Sequence, residues 1–241
     1  MIVQKKTYLI KTMAIALSGI GFLALPMQSF AAGAWVEARQ AYFTATDTAE
    51  TAFKAGYNFD NGLGLMVTNA YNTSKFDQFS HSWNEFEGWY PLFKITPAFT
   101  IAPGLILTST SAGSTVSGYV DFKYRFTDDF NVTTRYRYNH RNYDTMDLNK
   151  KEDKDDTHQI VMYFNYRINE SFDYTLEPDY FYRVNDFHSA NGKDYNWQIN
   201  NKLTYNYDKH WKPYIEASWL DRVKSKNSEQ YRFRIGVRYN L

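Results

Sequence analysis

Apolar and polar residues alternate one by one along most of this chain, and the last eleven residues show it without interruption. Over 231–241 one parity reads Tyr231, Phe233, Ile235, Val237, Tyr239 and Leu241, the other Arg232, Arg234, Gly236, Arg238 and Asn240. Successive side chains of a strand point to opposite faces, so one face is apolar and aromatic while the other carries three arginines. The pattern returns over 132–141, where Val132, Thr134, Tyr136 and Tyr138 stand against Thr133, Arg135, Arg137, Asn139 and Arg141. A single such strand also suits a soluble sandwich. Its recurrence favours a transmembrane barrel, with apolar residues outward in lipid and polar ones inward.

In chain order the alternation recurs about every 17 residues and predicts about twelve strands. They are 34–44, 50–58, 65–72, 83–93, 99–107, 116–126, 132–141, 158–167, 174–183, 195–207, 211–222 and 231–241. Asp60-Asn61-Gly62, Thr127-Asp128-Asp129 and Asn169-Glu170-Ser171 mark short turns, and 74–82 reads as a polar loop. The mixed charge run within 144–156 reads as a solvated extracellular loop, with divalent-ion binding by its aspartates as the lesser alternative. The facing of 65–72 stays open because Leu65 and Val67 compete with Met66 for the apolar side. Segment 99–107 is apolar at both parities in places, and Pro103 within it predicts a bulge or distorted pairing.

Strands left open in lipid would present unpaired backbone groups at several kcal/mol each, whereas a closed barrel pairs them all. The expected fold is therefore all-β, a 12-stranded antiparallel transmembrane β-barrel of the bacterial outer membrane, its even strand count returning both ends to the periplasm. Composition agrees. A mean hydropathy of −0.58 leaves no room for a bundle of membrane helices. The 21 tyrosines, 18 phenylalanines and 6 tryptophans suit strands and interfacial girdles. A net charge of +1 argues against general attraction to nucleic acid, so any charge bias must be local. The absence of cysteine removes disulfides and thiolate metal sites.

The compartment is read from the N-terminus. Lys5, Lys6 and Lys11 precede an apolar stretch from Met13 to Leu25, then Pro26 and the Ser29-Phe30-Ala31 cleavage pattern. Residues 1–31 are expected to be a cleaved signal peptide, leaving 32–241 as one barrel domain; the apolar run is shorter than the about 20 residues of a membrane anchor. The prefix removes lysines and no acids, so the mature chain is mildly acidic.

By parity the inward face nonetheless collects basic residues: Arg39, Lys54, Lys123, Arg125, Arg135, Arg137, Arg141, Arg167, Arg183, Lys202, Arg222, Arg232, Arg234 and Arg238. Fewer acids share it: Glu37, Glu85, Glu87, Asp121, Glu177, Asp179 and Glu216. Guanidinium forks hold carboxylates through charge-assisted, often bidentate hydrogen bonds, and rings of Arg or Lys confer anion preference on a pore. A nearly neutral protein can thus enclose a basic channel. The alternative is a plugged lumen, in which Arg/Glu pairs knit opposing walls.

Five stretches, in order, carry a family resemblance: Phe86-Glu87-Gly88-Trp89-Tyr90-Pro91-Leu92-Phe93; Arg135-Tyr136-Arg137-Tyr138-Asn139; Arg183-Val184-Asn185-Asp186-Phe187 with Asn191-Gly192-Lys193-Asp194; Tyr214-Ile215-Glu216 with Leu220-Asp221-Arg222; and Arg234-Ile235-Gly236-Val237. In these the chain resembles the oligogalacturonate-specific porins of the KdgM type, and among them an outer-membrane porin L-like branch. The terminal Tyr239 and Leu241 also resemble the C-terminal assembly signal of outer-membrane proteins, with leucine where phenylalanine is usual. The resemblance implies a monomeric barrel whose arginine-lined pore passes acidic oligosaccharides, with Arg135, Arg137, Arg232 and Arg234 lining it. Expected partners are anionic oligosaccharides or small anionic sugars, outer-membrane lipid, and periplasmic chaperones with the barrel-assembly machinery during biogenesis. No nucleic acid, cofactor or metal is expected.

Two other classes compete. An outer-membrane hydrolase would need a catalytic constellation, but none of His81, His140, His158, His188 and His210 follows a Gly-x-Ser-x-Gly elbow or a His-Glu-x-x-His motif. A non-conducting structural or adhesive barrel would show long loops, and most here are short.

Overall fold

The computed structural model describes residues 33–241 apart from 76–77, 142–144, 147–151, 154 and 185–186. The expected signal peptide and most of the acidic loop 144–156 lie outside the described residues, as do Asn185 and Asp186 of the family-like stretches. Twelve long strands follow one another: β1 (Ala34–Phe43), β2 (Thr48–Asn58), β3 (Gly64–Lys75), β4 (Gln78–Trp89), β5 (Phe99–Thr110), β6 (Gly113–Arg125), β7 (Phe130–Arg141), β8 (Thr157–Arg167), β9 (Phe172–Arg183), β10 (Tyr195–Tyr205), β11 (Trp211–Val223) and β12 (Ser228–Asn240). Each pairs antiparallel with the next. β1 and β12 close the ring, from Trp35 opposite Asn240 to Phe43 opposite Arg232. No strand of the ring keeps an unpaired edge, which is what a lipid environment requires.

The two faces separate as the alternation predicts. Ile215 is 58 % exposed and Phe233 52 % exposed on the outside, among Val67, Phe86, Leu107, Phe122, Tyr136, Ile160, Trp197 and Ile235. An apolar belt this extensive is stable only against acyl chains or a partner. The register settles the facing that the sequence leaves open. Leu65 and Val67 point outward with Tyr57 and Ala55, while Met66, Thr68 and Ala70 point inward. On β5, Ile101, Leu105 and Leu107 are outward and Ile106, 2 % exposed, is inward.

One expectation is corrected and another holds on one side of its strand. Segment 74–82 is mostly strand, because β3 and β4 run to Lys75 and from Gln78. Their distal ends are mostly polar on both faces, Tyr71 and Phe79 apart, so alternation fades although pairing continues, with register shifts at Ala70/Tyr71 and Asn72/Lys75. Pro103 leaves the β5–β6 ladder undisturbed, from Phe99–Tyr124 to Thr110–Gly113 without a shift, and the expected distortion falls on its β4 side, where residues 90–92 face 102–103. Its carbonyl accepts the Tyr90 N–H at 3.1 Å on the other side, where the β4 ladder ends at Gly104–Trp89 and resumes as Phe93–Lys94. A strand residue aims N–H and C=O to the same side, so the missing donor of proline falls in that gap.

The short turns at one rim share a device. Thr96, Thr127, Asn169 and Asp208 each accept two backbone N–H groups, two and three residues on, just before Phe99, Phe130, Phe172 and Trp211 open the next strand. In the exposed 206–210 turn, the N–H groups of Trp211 and His210 hold the Asp208 carboxyl below the usual carboxylate range. Both chain ends of the barrel lie at this rim, with the Leu241 N–H donating to the Ala34 carbonyl at 2.9 Å. In the expected topology, with both ends returning to the periplasm, this is the rim termed periplasmic below.

Candidate solute channel

The lumen is built on glycines that receive rings. Gly56, Gly64, Gly104 and Gly236 stand directly opposite Trp35, Trp89, Tyr119 and Tyr214 on the neighbouring strand. A Cβ on Gly104 would come within 2.2 Å of the Tyr119 ring, and one on Gly236 within 2.4 Å of the Tyr214 ring. Each aromatic side chain therefore lies along the wall instead of across the bore. From there Tyr119 donates to Glu87 at 2.6 Å and Tyr214 to Glu37 at 2.8 Å. On the far side of each ring stands a cation, Arg135 at 3.7 Å from the Tyr119 centroid and Lys202 at 5.7 Å from that of Tyr214. The same carboxylate–glycine–tyrosine–cation order thus runs across β4–β7 and, in reverse, from β1 through β12 and β11 to β10.

The four arginines carried over from the family resemblance all sit on the inward parity, but in two unlike settings. Arg135 is consumed by acids: its Nε and Nη2 bind the two Asp121 carboxylate oxygens at 2.7 and 2.9 Å, and Nη1 binds Glu87 at 3.1 Å. Arg137 donates to Ser117 at 3.1 Å. On β12, Arg232 and Arg234 share one carboxylate, Glu216, at 3.1 and 2.9 Å. Arg39 stands on β1 opposite Gly236, one inward position from Arg234. The Nε groups of Arg39, Arg232 and Arg234 are buried without a hydrogen-bond partner, as is that of Arg137, so what sets this cluster apart is three guanidiniums to one bonded carboxylate. Positive charge in excess of acid therefore gathers on β12 and β1, whereas around Arg135 it is cancelled.

The remaining basic residues divide by height. Arg238 lies 3.9 Å over the Trp35 ring near the periplasmic rim. Lys123 and Arg125 line a vestibule of about 510 Å³ at that same rim. Arg125 and Arg167 are more than half exposed there and pair loosely with aspartates at 3.8–3.9 Å. At the opposite mouth Arg141 and Arg183 converge on Asp155, which is 3 % exposed. Arg141 Nε reaches Asp155 at 2.8 Å and Arg183 Nη1 at 2.9 Å. Arg183 also donates to Thr157, Ser189 and Asn196, so its fork is saturated by the protein itself.

Arg222 is misplaced by the parity count. A register shift between Trp219 and Arg222 brings it opposite Glu229 on the outward parity, exposed at the rim and hydrogen-bonded to Asn227. Conversely, the register adds inward Glu50, Asp173 and Lys212 to the residues read from sequence. The histidines lie apart, His140 on Asp156 and His158 on Tyr136 at one rim, and His210 on the Asn240 carbonyl at the other.

A closed barrel with an apolar outer belt and a charged, ring-lined interior defines an outer-membrane porin. A family profile described as "Oligogalacturonate-specific porin protein (KdgM)" matches residues 27–241, and the chain belongs to that family. It is 28 % identical over 235 residues to the N-acetylneuraminic acid outer membrane channel protein NanC of Escherichia coli K12, covering 93 % of this chain and 98 % of that one. It is 29 % identical over 217 residues to the oligogalacturonate-specific porin KdgM of Dickeya dadantii, covering 81 % and 87 %. Among solved structures, the NanC porin superposes with a TM-score of 0.77 at 25 % identity over 86 % of this chain and all of that one. The KdgM porin in complex with disordered oligogalacturonate gives 0.65 at 24 % identity over 86 % and 99 %, a likeness of fold.

Proposed function

We propose that the chain is an outer-membrane channel for the diffusion of carboxylated sugars into the periplasm, exported by residues 1–31 and folded as a barrel over 32–241. The observation that carries this reading is the cluster of Arg39, Arg232 and Arg234, three guanidiniums with a single carboxylate, Glu216, bonded among them. That excess of guanidinium charge over bonded acid suits a carboxylate arriving from solution, which an anion-selective pore must bind weakly enough to release. The relatives support a sugar acid, since one is named for oligogalacturonate and another for N-acetylneuraminic acid. Lys202, Arg238, Lys123 and Arg125 continue the basic path toward the periplasmic rim, and Arg137 faces it from β7. Arg135, Arg141 and Arg183 contribute structure more than capture, because acids of the chain occupy them.

Single-channel recording in a planar bilayer under a salt gradient tests the reading. Wild type should show an anion-selective reversal potential and block by an acidic oligosaccharide. Arg39→Gln with Arg234→Gln should move the reversal potential toward cation preference and weaken the block about tenfold or more. Unchanged selectivity and unchanged block in that variant would refute the assignment of these arginines.

A further inference from the structure

The acidic inward face of β9 contributes nothing to anion attraction, yet it is built with care. Glu177 and Asp179 occupy successive inward positions, Asp179 opposite Val161 on β8 and Gln198 on β10. Asp179 is 5 % exposed, and its Oδ1 is buried without any hydrogen-bond partner. A carboxylate oxygen to which no group of the protein donates is costly in a folded protein. The guanidiniums of Arg232, Arg137 and Arg135 donate elsewhere, to Glu216, Asn200, Ser117, Asp121 and Glu87. Asn200 measures the spacing. It accepts from Arg232 at 2.8 Å and donates to Glu177 at 3.1 Å, so one amide spans from the basic cluster to the acid face.

We propose that Asp179, with Glu177 beside it, is a specificity-determining acceptor for the hydroxyl groups of a sugar acid whose carboxylate rests on the Arg39–Arg232–Arg234 cluster. The inference rests on the anionic-sugar reading above and adds a second point of recognition. A polyhydroxylated ring with one carboxylate presents both an acceptor for the guanidiniums and donors for the Asp179 carboxylate, whose two oxygens exchange places on a turn about its Cβ–Cγ bond. A carboxylate without hydroxyls meets the same attraction and also the repulsion of two acids, with nothing to offset it. The acid face thereby works against plain organic anions while leaving sugar acids bound.

The test compares block of the chloride current by D-galacturonate and by cyclohexanecarboxylate, two monoanions of similar ring size, in wild type, Asp179→Leu and Asp179→Asn. Wild type should bind galacturonate about tenfold or more tighter, the worth of a charge-assisted hydrogen bond or two. Removing the charge should strengthen both probes, whereas removing the acceptor in Asp179→Leu should shrink the ratio between them about tenfold. Asp179→Asn keeps one acceptor oxygen and should shrink the ratio about threefold; it decides the matter if the leucine variant does not reach the heat-modifiable barrel form. A parallel strengthening of both probes with the ratio unchanged would make Asp179 a merely repulsive charge and overturn the proposal, as would a wild type that does not discriminate. If neither probe blocks wild type at all, the sugar-acid reading itself fails and this inference with it.

Discussion

Arg135 and Arg234 look interchangeable in the sequence, each an arginine two residues from another on the non-aromatic parity of a strand. Their partners make them opposites. Arg135, 15 % exposed, holds two carboxylates, and its replacement by glutamine strands both of them in the wall. Breaking a buried pair in this way typically costs about 3–5 kcal/mol, and water in the lumen should bring Arg135→Gln to about 2–4 kcal/mol, read as a lowered unfolding midpoint in detergent. Arg234→Gln leaves Glu216 bonded to Arg232 and Ser218, and should cost less than about 1.5 kcal/mol while shifting ion selectivity. A larger loss of stability in Arg234→Gln than in Arg135→Gln would reverse this assignment. Asp208 offers a residue-level pH response. Its carboxyl is depressed by the Trp211 and His210 N–H groups, so its contribution to the turn is complete above the ordinary carboxylate pKa of about 3.9 and is lost as pH falls through the lower folded value. Protection of the Trp211 and His210 amides, taken relative to their intrinsic exchange rates, should fall only in that acid window, and Asp208→Ala should show the low protection at neutral pH as well.

Strands were the legible part of this chain, and the reasons for the exceptions are physical. β7 and β12 could be read position by position because lipid and lumen impose opposite demands on their two faces. β5 could not, because its lumen side holds Ala102, Gly104 and Ile106, apolar or side-chain-less residues that make room for the Tyr119 ring. β3 and β4 were cut short in the sequence reading because beyond the apolar belt both faces are mostly polar, and Arg222 was turned inward because a register shift leaves no trace in composition. The ring-over-glycine pairing was equally hidden, since it joins residues on different strands. It makes a prediction at the level of the element. Gly104→Ala and Gly236→Ala should each displace a tyrosine from the wall, lose its bond to Glu87 or Glu37, and cost about 1–3 kcal/mol as overpacked core substitutions do. The displaced ring should also lower single-channel conductance, and pairing Gly104→Ala with Tyr119→Ala should restore it. Conductance that stays at the wild-type value in both alanine variants would show that the rings do not depend on these glycines for their place.

At the scale of the whole barrel, charge ownership was the part no parity rule could supply. Asp155 lies outside the strands and yet occupies Arg141 and Arg183, so two basic residues expected in the channel serve to fasten the mouth. Closure, by contrast, follows from the backbone requirement alone, and the seam between β1 and β12 is where it can be tested. Ala38 and Val237 are register partners across that seam, on the outward face, joining residues close to the two ends of the chain. Directly opposed residues of antiparallel strands have Cβ atoms about 4.5–5.5 Å apart, and their Cα separation falls within the range a disulfide bridges. The protein has no cysteine of its own, so Ala38→Cys with Val237→Cys creates the sole pair of thiols. Folded in detergent under mild oxidant, this variant should lose both free thiols while the heat-modifiable form is still assembled. The control, Ala38→Cys with Phe86→Cys, places the second thiol on β4, three strands away, and should keep both thiols free under the same conditions. If the seam pair also stays reduced in the folded protein, β1 and β12 are not partners and the ring is open. If both pairs crosslink, the bond forms in the unfolded chain, and oxidation must be repeated after folding to read the seam alone.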